Sequence, residues 1–316
     1  MKRLDFSRDA LCSCVAAAIL AACGGSPSAS VPQGAIQAES RVAHRSSDGL
    51  VYATGACGGT CVLSYPAGTL EASLSVGGAG ACADGTGNVY IANQTSLYEF
   101  AHGGTSPINT FTVSGGVINA CSVDPTTGTV AVTVFQSNSY NIALFKSGSS
   151  SPTTYVIDFG AQYCGYDNAG NLFVDGYSDG SQQFALYELA SGGSEFTSVT
   201  VTPTLRSRPG QVQWDGTYIT VEGLGVRYGV VVYQLSISGS SANVVKTITF
   251  KGVTRAALQS WIAGNRIFIP YGTAGNRSDK TKAGVWKYPA GGKALQSITH
   301  FARRPDLQAV TFSPGS

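Results

Sequence analysis

Charge is scarce in this 316-residue chain. Asp, Glu, Lys and Arg together make up 12% of it, and it holds one Met, three His and three Trp. A net charge of +2 provides no basic field strong enough to point to nucleic acid. Long apolar runs are also missing: the longest, from Ala10 to Ala22, falls short of the roughly 20 residues that a bilayer-spanning helix needs. What the chain does have is 40 glycines with abundant Thr, Val and Tyr. That composition favours short strands and tight turns over helices.

The apolar run has another use. It follows Lys2, Arg3 and Arg8 and ends in Leu20-Ala21-Ala22-Cys23, the pattern of a signal peptide over residues 1–22 with a cysteine to be lipidated at its end. Acylation of Cys23 would attach the mature protein to a membrane without spanning it. Gly24 after the cysteine points to the outer membrane of a Gram-negative cell, facing the periplasm or the surface. Residues 23–48, rich in Ser, Ala, Gly and Pro, read as a flexible tether. Residues 251–316 hold ten Lys and Arg against two acids, a polarity that most simply reflects solvated loops.

From residue 49 to 316 one unit recurs. Its first turn reads Asp48-Gly49, Gly87-Asn88, Gly128-Thr129, Gly170-Asn171, Asp215-Gly216 and Gly264-Asn265, each before an apolar strand such as Val89-Tyr90-Ile91-Ala92. The glycines lie 38 to 48 residues apart. A second turn follows in phase, as in Tyr65-Pro66-Ala67-Gly68, Phe100-Ala101-His102-Gly103 and Tyr288-Pro289-Ala290-Gly291. Four short antiparallel strands at this period form a propeller blade, which buries its two faces only by stacking on neighbours. The expected fold is therefore an all-β, six-bladed β-propeller. Leu307 to Phe312 resembles an innermost strand with no unit after it, so it is expected to complete the first blade in preference to residues Arg41 to Arg45.

Five cysteines remain beyond Cys23. Cys57 and Cys61 flank Gly58-Gly59-Thr60 and can close one hairpin loop as a disulfide. Cys82, Cys121 and Cys164 fall on innermost strands and read as compact core residues, of which at most one pair can bond. The acids Asp84, Asp124, Asp167 and Asp215 recur beside the first turn, as turn caps would. His44, His102 and His300 sit in no recognisable motif, and no spacing supports a metal or a cofactor. Trp214, Trp261 and Trp286 follow the apolar pattern and read as core.

The segments Cys121 to Gly128, Tyr163 to Gly176 and Gly210 to Gly216 resemble bacterial lipoprotein propellers related to NHL-repeat proteins, a largely uncharacterised group. The resemblance implies the fold and no activity. The function expected is a membrane-anchored binding or scaffold module, monomeric, with a protein or glycan as ligand and no nucleic acid. The alternative is a propeller hydrolase or lyase acting on a lactone or sugar derivative. Candidate ligand residues lie in second-to-third-strand loops and inter-blade connections: Asp175, Tyr177, Arg206, Arg208, Arg227, Tyr228, Arg255 and Tyr271. The polar loop from Gly272 to Gly284, with Arg277, Lys280 and Lys282, enlarges that face.

Overall fold

A computed structural model describes residues 49–136, 139–178, 183–224, 229–253, 259–272, 282–298, 301 and 306–315. The signal segment, Cys23 and the tether lie outside them, as do Arg227, Tyr228, Arg255, His300 and residues 273–281 of the polar loop. No helix occurs among the described residues.

Alternating apolar residues between glycine turns give meanders of antiparallel strands. The first holds β1 (Gly49–Ala56), β2 (Gly59–Tyr65) and β3 (Leu70–Leu74), and the second β4 (Ala81–Ala83), β5 (Val89–Asn93), β6 (Ser96–Phe100) and β7 (Asn109–Thr112). Next come β8 (Val117–Val123), β9 (Val130–Gln136), β10 (Ser139–Phe145) and β11 (Thr153–Ile157), then β12 (Gly160–Tyr166), β13 (Leu172–Tyr177), β14 (Phe184–Leu189) and β15 (Thr197–Thr202). The fifth contains β16 (Val212–Trp214), β17 (Ile219–Leu224), β18 (Val230–Ser238) and β19 (Ser241–Thr249). The sixth has β20 (Trp261–Ala263), β21 (Arg266–Tyr271), β22 (Lys282–Lys287) and β23 (Ala294–Ile298). The last strand, β24 (Val310–Ser313), returns to pair with β1 from Leu50↔Ser313 to Ala53↔Val310. Its main chain thereby joins residues some 260 positions apart in sequence.

The first turn depends on backbone that only glycine adopts without strain: Gly170 has φ 83° and Gly216 φ 100°. The meanders form five sheets, four of four strands and one of eight. The fourth and fifth meanders merge because their outer strands β15 and β19 pair in parallel, Thr200↔Ser241 to Thr202↔Asn243. Six separate sheets were expected; edge-to-edge pairing of two exposed strands accounts for the difference.

Each meander buries its faces against its neighbours. One cluster combines Leu50 and Tyr52 of the first with Ile91 and Phe100 of the second. Another joins Tyr90 and Phe111 to Val132 and Phe145, and a third sets Val51 and Leu63 against Phe268 and Val285. This reciprocal burial provides the dominant stabilisation. The strands β24, β4, β8, β12 and β16 lie side by side in that order, and β20 lies against β24. Between β16 and β20, Gln213 Nε2 donates to Ile262 O (2.6 Å) and Ile262 N donates to Gln213 Oε1 (2.8 Å).

A buried polar residue recurs on the second strand of four meanders. Thr54 Oγ1 accepts from Ala309 N of its own inner segment and donates to Gly78 O of the next meander. Thr133 Oγ1 does the same with Ala120 N and Gln162 O. At this register β13 carries Asp175, accepting from Tyr163 N (3.0 Å) and Gly210 N (2.8 Å), and β17 carries Glu222, accepting from Ser260. Bulges at Ile118/Ala120 and Ala161/Tyr163 take these amides out of the ladder and offer them to the side chain.

Candidate binding site

Where the inner strands end, their last residues and the first turns enclose a cavity of ≈ 600 Å³. Its walls come from five meanders: Asp84 and Tyr90 from the second, Asp124 from the third, Tyr166 and Asp167 from the fourth, Trp214 from the fifth and Trp261 from the sixth. The size suits a small organic ligand.

The acids are fixed by their turns. Asp84 Oδ1 accepts from Thr86 N, Thr86 Oγ1 and Asn88 N, each at 2.8 to 2.9 Å. Asp167 Oδ1 accepts from Ala169 N and Asn171 N, and its Oδ2 from Asn171 Nδ2. Asp215 caps the equivalent turn, and its Oδ2 accepts from Gln234 and from the hydroxyl of Tyr288. Burial works against ionisation at Asp124, but hydrogen bonds from Thr127 and Thr126 outweigh it and hold the carboxyl below its ordinary range. Glu99, outside any turn, accepts at Oε1 from Asn88 Nδ2 and from the Tyr90 hydroxyl, both at 3.1 Å. Burial, followed by the charges of Glu99 and Asp84, pushes the Tyr90 phenol up, so it stays a neutral donor.

Trp286 is buried, as the apolar pattern requires, but Trp214 and Trp261 are only partly covered and face this cavity. Neither indole is stacked on another ring among the described residues. Trp261 also leans on the cluster of the second and third meanders, and Gln259 Nε2 reaches Ala81 O (3.1 Å), so the sixth meander touches the second.

The arrangement has the marks of a β-propeller: meanders that bury each other's faces, inner edges side by side, and a last strand completing the first sheet. Solved structures agree. The chain is similar to a protein of unknown function from Bacteroides caccae, with 12% identity and a TM-score of 0.62, covering 84% of this chain and 99% of that one. It is also similar to the β-propeller domain of Myceliophteria thermophila Cps50, at 10% identity and TM-score 0.54 over 81% and 83%. TolB from Acinetobacter baumannii matches at 12% and 0.56 over 85% and 67%.

The fold is a β-propeller. At these identities the likeness extends to fold alone. No known sequence family matches the chain, and no curated protein does.

The described candidates read from sequence lie elsewhere on the propeller. Asp175 is fully buried and both its oxygens bind backbone amides. Tyr271 is buried in the core, its ring edge-on to Trp286 and its hydroxyl 3.0 Å from Ser297 Oγ. Tyr177 is partly buried, close enough to Arg208 for that charge to act on its phenol, and Arg206 and Arg208 are exposed. Lys282 opens β22, and none of these residues lines the ≈ 600 Å³ cavity. The residues missed were Trp214, Trp261, Tyr166 and Glu99. An available signal was an aromatic directly before the turn acid, Tyr166-Asp167 and Trp214-Asp215, where small or aliphatic residues precede Asp84 and Asp124.

The cysteines form two bridges, Cys57–Cys61 and Cys82–Cys121, and Cys164 is free and buried. Compact core packing was expected of Cys82 and Cys121; their bond ties β4 to β8.

Proposed function

We propose that this protein is an exported, lipid-anchored, six-bladed propeller that acts as a binding module and takes its ligand in the cavity at the end of the inner strands. The observation that carries the reading is the pair of part-exposed indoles, Trp214 and Trp261, in a ≈ 600 Å³ cavity built by five meanders. Six units are supported by the side-by-side packing of the inner strands, with Gln213 joining β16 to β20. Anchorage rests on Leu20-Ala21-Ala22-Cys23, and likeness to NHL-type lipoprotein propellers on the repeats alone. Hydrolysis of a lactone or sugar derivative is placed second. Its acids would have to come from this cavity, where Asp84, Asp124 and Asp167 spend both oxygens on their own turns and on Tyr90, so that among the described residues Glu99 alone keeps an unengaged oxygen and no second acid pairs with it.

Thermal unfolding of the full chain in detergent tests the reading, with small cations, oligosaccharides and lactones added singly. A midpoint that rises with concentration for one class identifies a ligand of the folded state. No rise with any class counts against a small-molecule module and favours a protein scaffold.

A further inference from the structure

We infer that the cavity selects a compact organic cation, an ammonium group carrying small alkyl substituents; this rests on the binding reading above. Four acids line the cavity, Asp84, Asp124, Asp167 and Glu99, and among the described residues its lining holds no Lys, Arg or His. Three of them are needed by their turns, so their charge is a fixed property of the rim whatever binds there. Charge of one sign within walls of low dielectric concentrates its field in the opening. Trp214 and Trp261 add two part-exposed indoles to the lining, and an indole is the best aromatic partner for a cation.

Glu99 is the acid that tunes the site without building it. It belongs to β6 rather than to a turn, and among the described residues only its Oε1 is engaged, by Asn88 and Tyr90. A neutral sugar would use the indoles equally well but would gain nothing from four negative charges, whereas an anion would be repelled. The charge pattern thus separates ligand classes that the aromatic walls alone do not.

The test uses the full chain in detergent, intrinsic tryptophan fluorescence, and two probes of the same shape. These are choline and its uncharged isostere 3,3-dimethylbutan-1-ol, with a cello-oligosaccharide as third ligand. Trp286, buried away from the cavity, provides a constant background. Saturable quenching by choline is expected, at least tenfold tighter than by the isostere and weakened by added salt. Glu99→Gln should weaken choline severalfold with an unchanged unfolding midpoint. Equal affinity for the two isosteres, or saturation by the oligosaccharide alone, overturns the cation and leaves the binding module standing. If no probe saturates, the cation falls, and the thermal-unfolding panel decides the binding reading separately.

Discussion

The carboxylate of Glu222 accepts at one oxygen, Oε2, both the amide of Ser260 (3.0 Å) and its hydroxyl (2.5 Å). Its other oxygen is buried with no partner among the described residues. Burial therefore outweighs the two hydrogen bonds and raises the carboxyl to about 7. The folded chain holds this proton more tightly than the unfolded chain, so the associated stability is complete below the ordinary carboxyl range and is lost as pH rises through about 7. Asp175, raised mainly by burial, acts in the same direction. Unfolding free energies from urea denaturation should fall between pH 5 and pH 8, by about 2 to 3 kcal/mol from Glu222 alone. Glu222→Gln should flatten that slope. A variant with the wild-type slope would place the pH dependence elsewhere.

Asp175 is expected to be structural. Asp175→Ala leaves Tyr163 N and Gly210 N buried and unpaired, a loss of about 2 to 4 kcal/mol by chemical denaturation. Asp175→Thr should lose less, because Thr133 already accepts the equivalent amide, that of Ala120, at the same register of the third meander. Loss of ligand affinity with unchanged stability would instead make Asp175 a contact residue.

The bond between Cys82 and Cys121 closes a loop with a sequence separation of 39, which in the chain-entropy model is worth about 3 to 4 kcal/mol. The double Cys→Ala variant should unfold at correspondingly lower denaturant. Cys164 is pushed up by burial and then by the charge of Asp175, so it should resist alkylation until the protein unfolds. Peptide mapping under non-reducing conditions checks both points, and native labelling of Cys164 would contradict its placement.

Lipidation is expected at one residue. Radiolabelled palmitate should be incorporated into the wild-type protein and not into Cys23→Ser, which should also leave the membrane fraction. Membrane retention of the variant without label would argue for another anchor.

What was legible in the sequence was what is local or periodic. Glycine turns with positive φ, strands of period two and the recurring turn acids repeat at fixed offsets, because each answers to its own few residues. The C-terminal strand was legible for the same reason: Leu307 to Phe312 has the pattern of an innermost strand, and it pairs with β1.

Other features depend on which surfaces meet. Cys82 stands two residues before its turn acid, while Cys121 and Cys164 stand three before theirs, so alternation along the strand turns Cys82 to the opposite face. Cys121 thus points back toward the second meander, its sulfur 3.9 Å from Tyr90 O, and meets Cys82 there. Cys164 points back toward the third meander, 4.0 Å from Ala131 O, where no cysteine answers it. Asp175 and Trp214 show the same dependence in opposite senses: a carboxylate that reads as exposed is enclosed by amides from two meanders, and an indole that reads as core faces a cavity. Sequence by itself determined the repeating unit and its turns, since backbone sterics and side-chain alternation act within a few residues. Only the tertiary structure decided which residues became latch, bridge or cavity wall, because that depends on the face each strand presents to a neighbour far away in the chain.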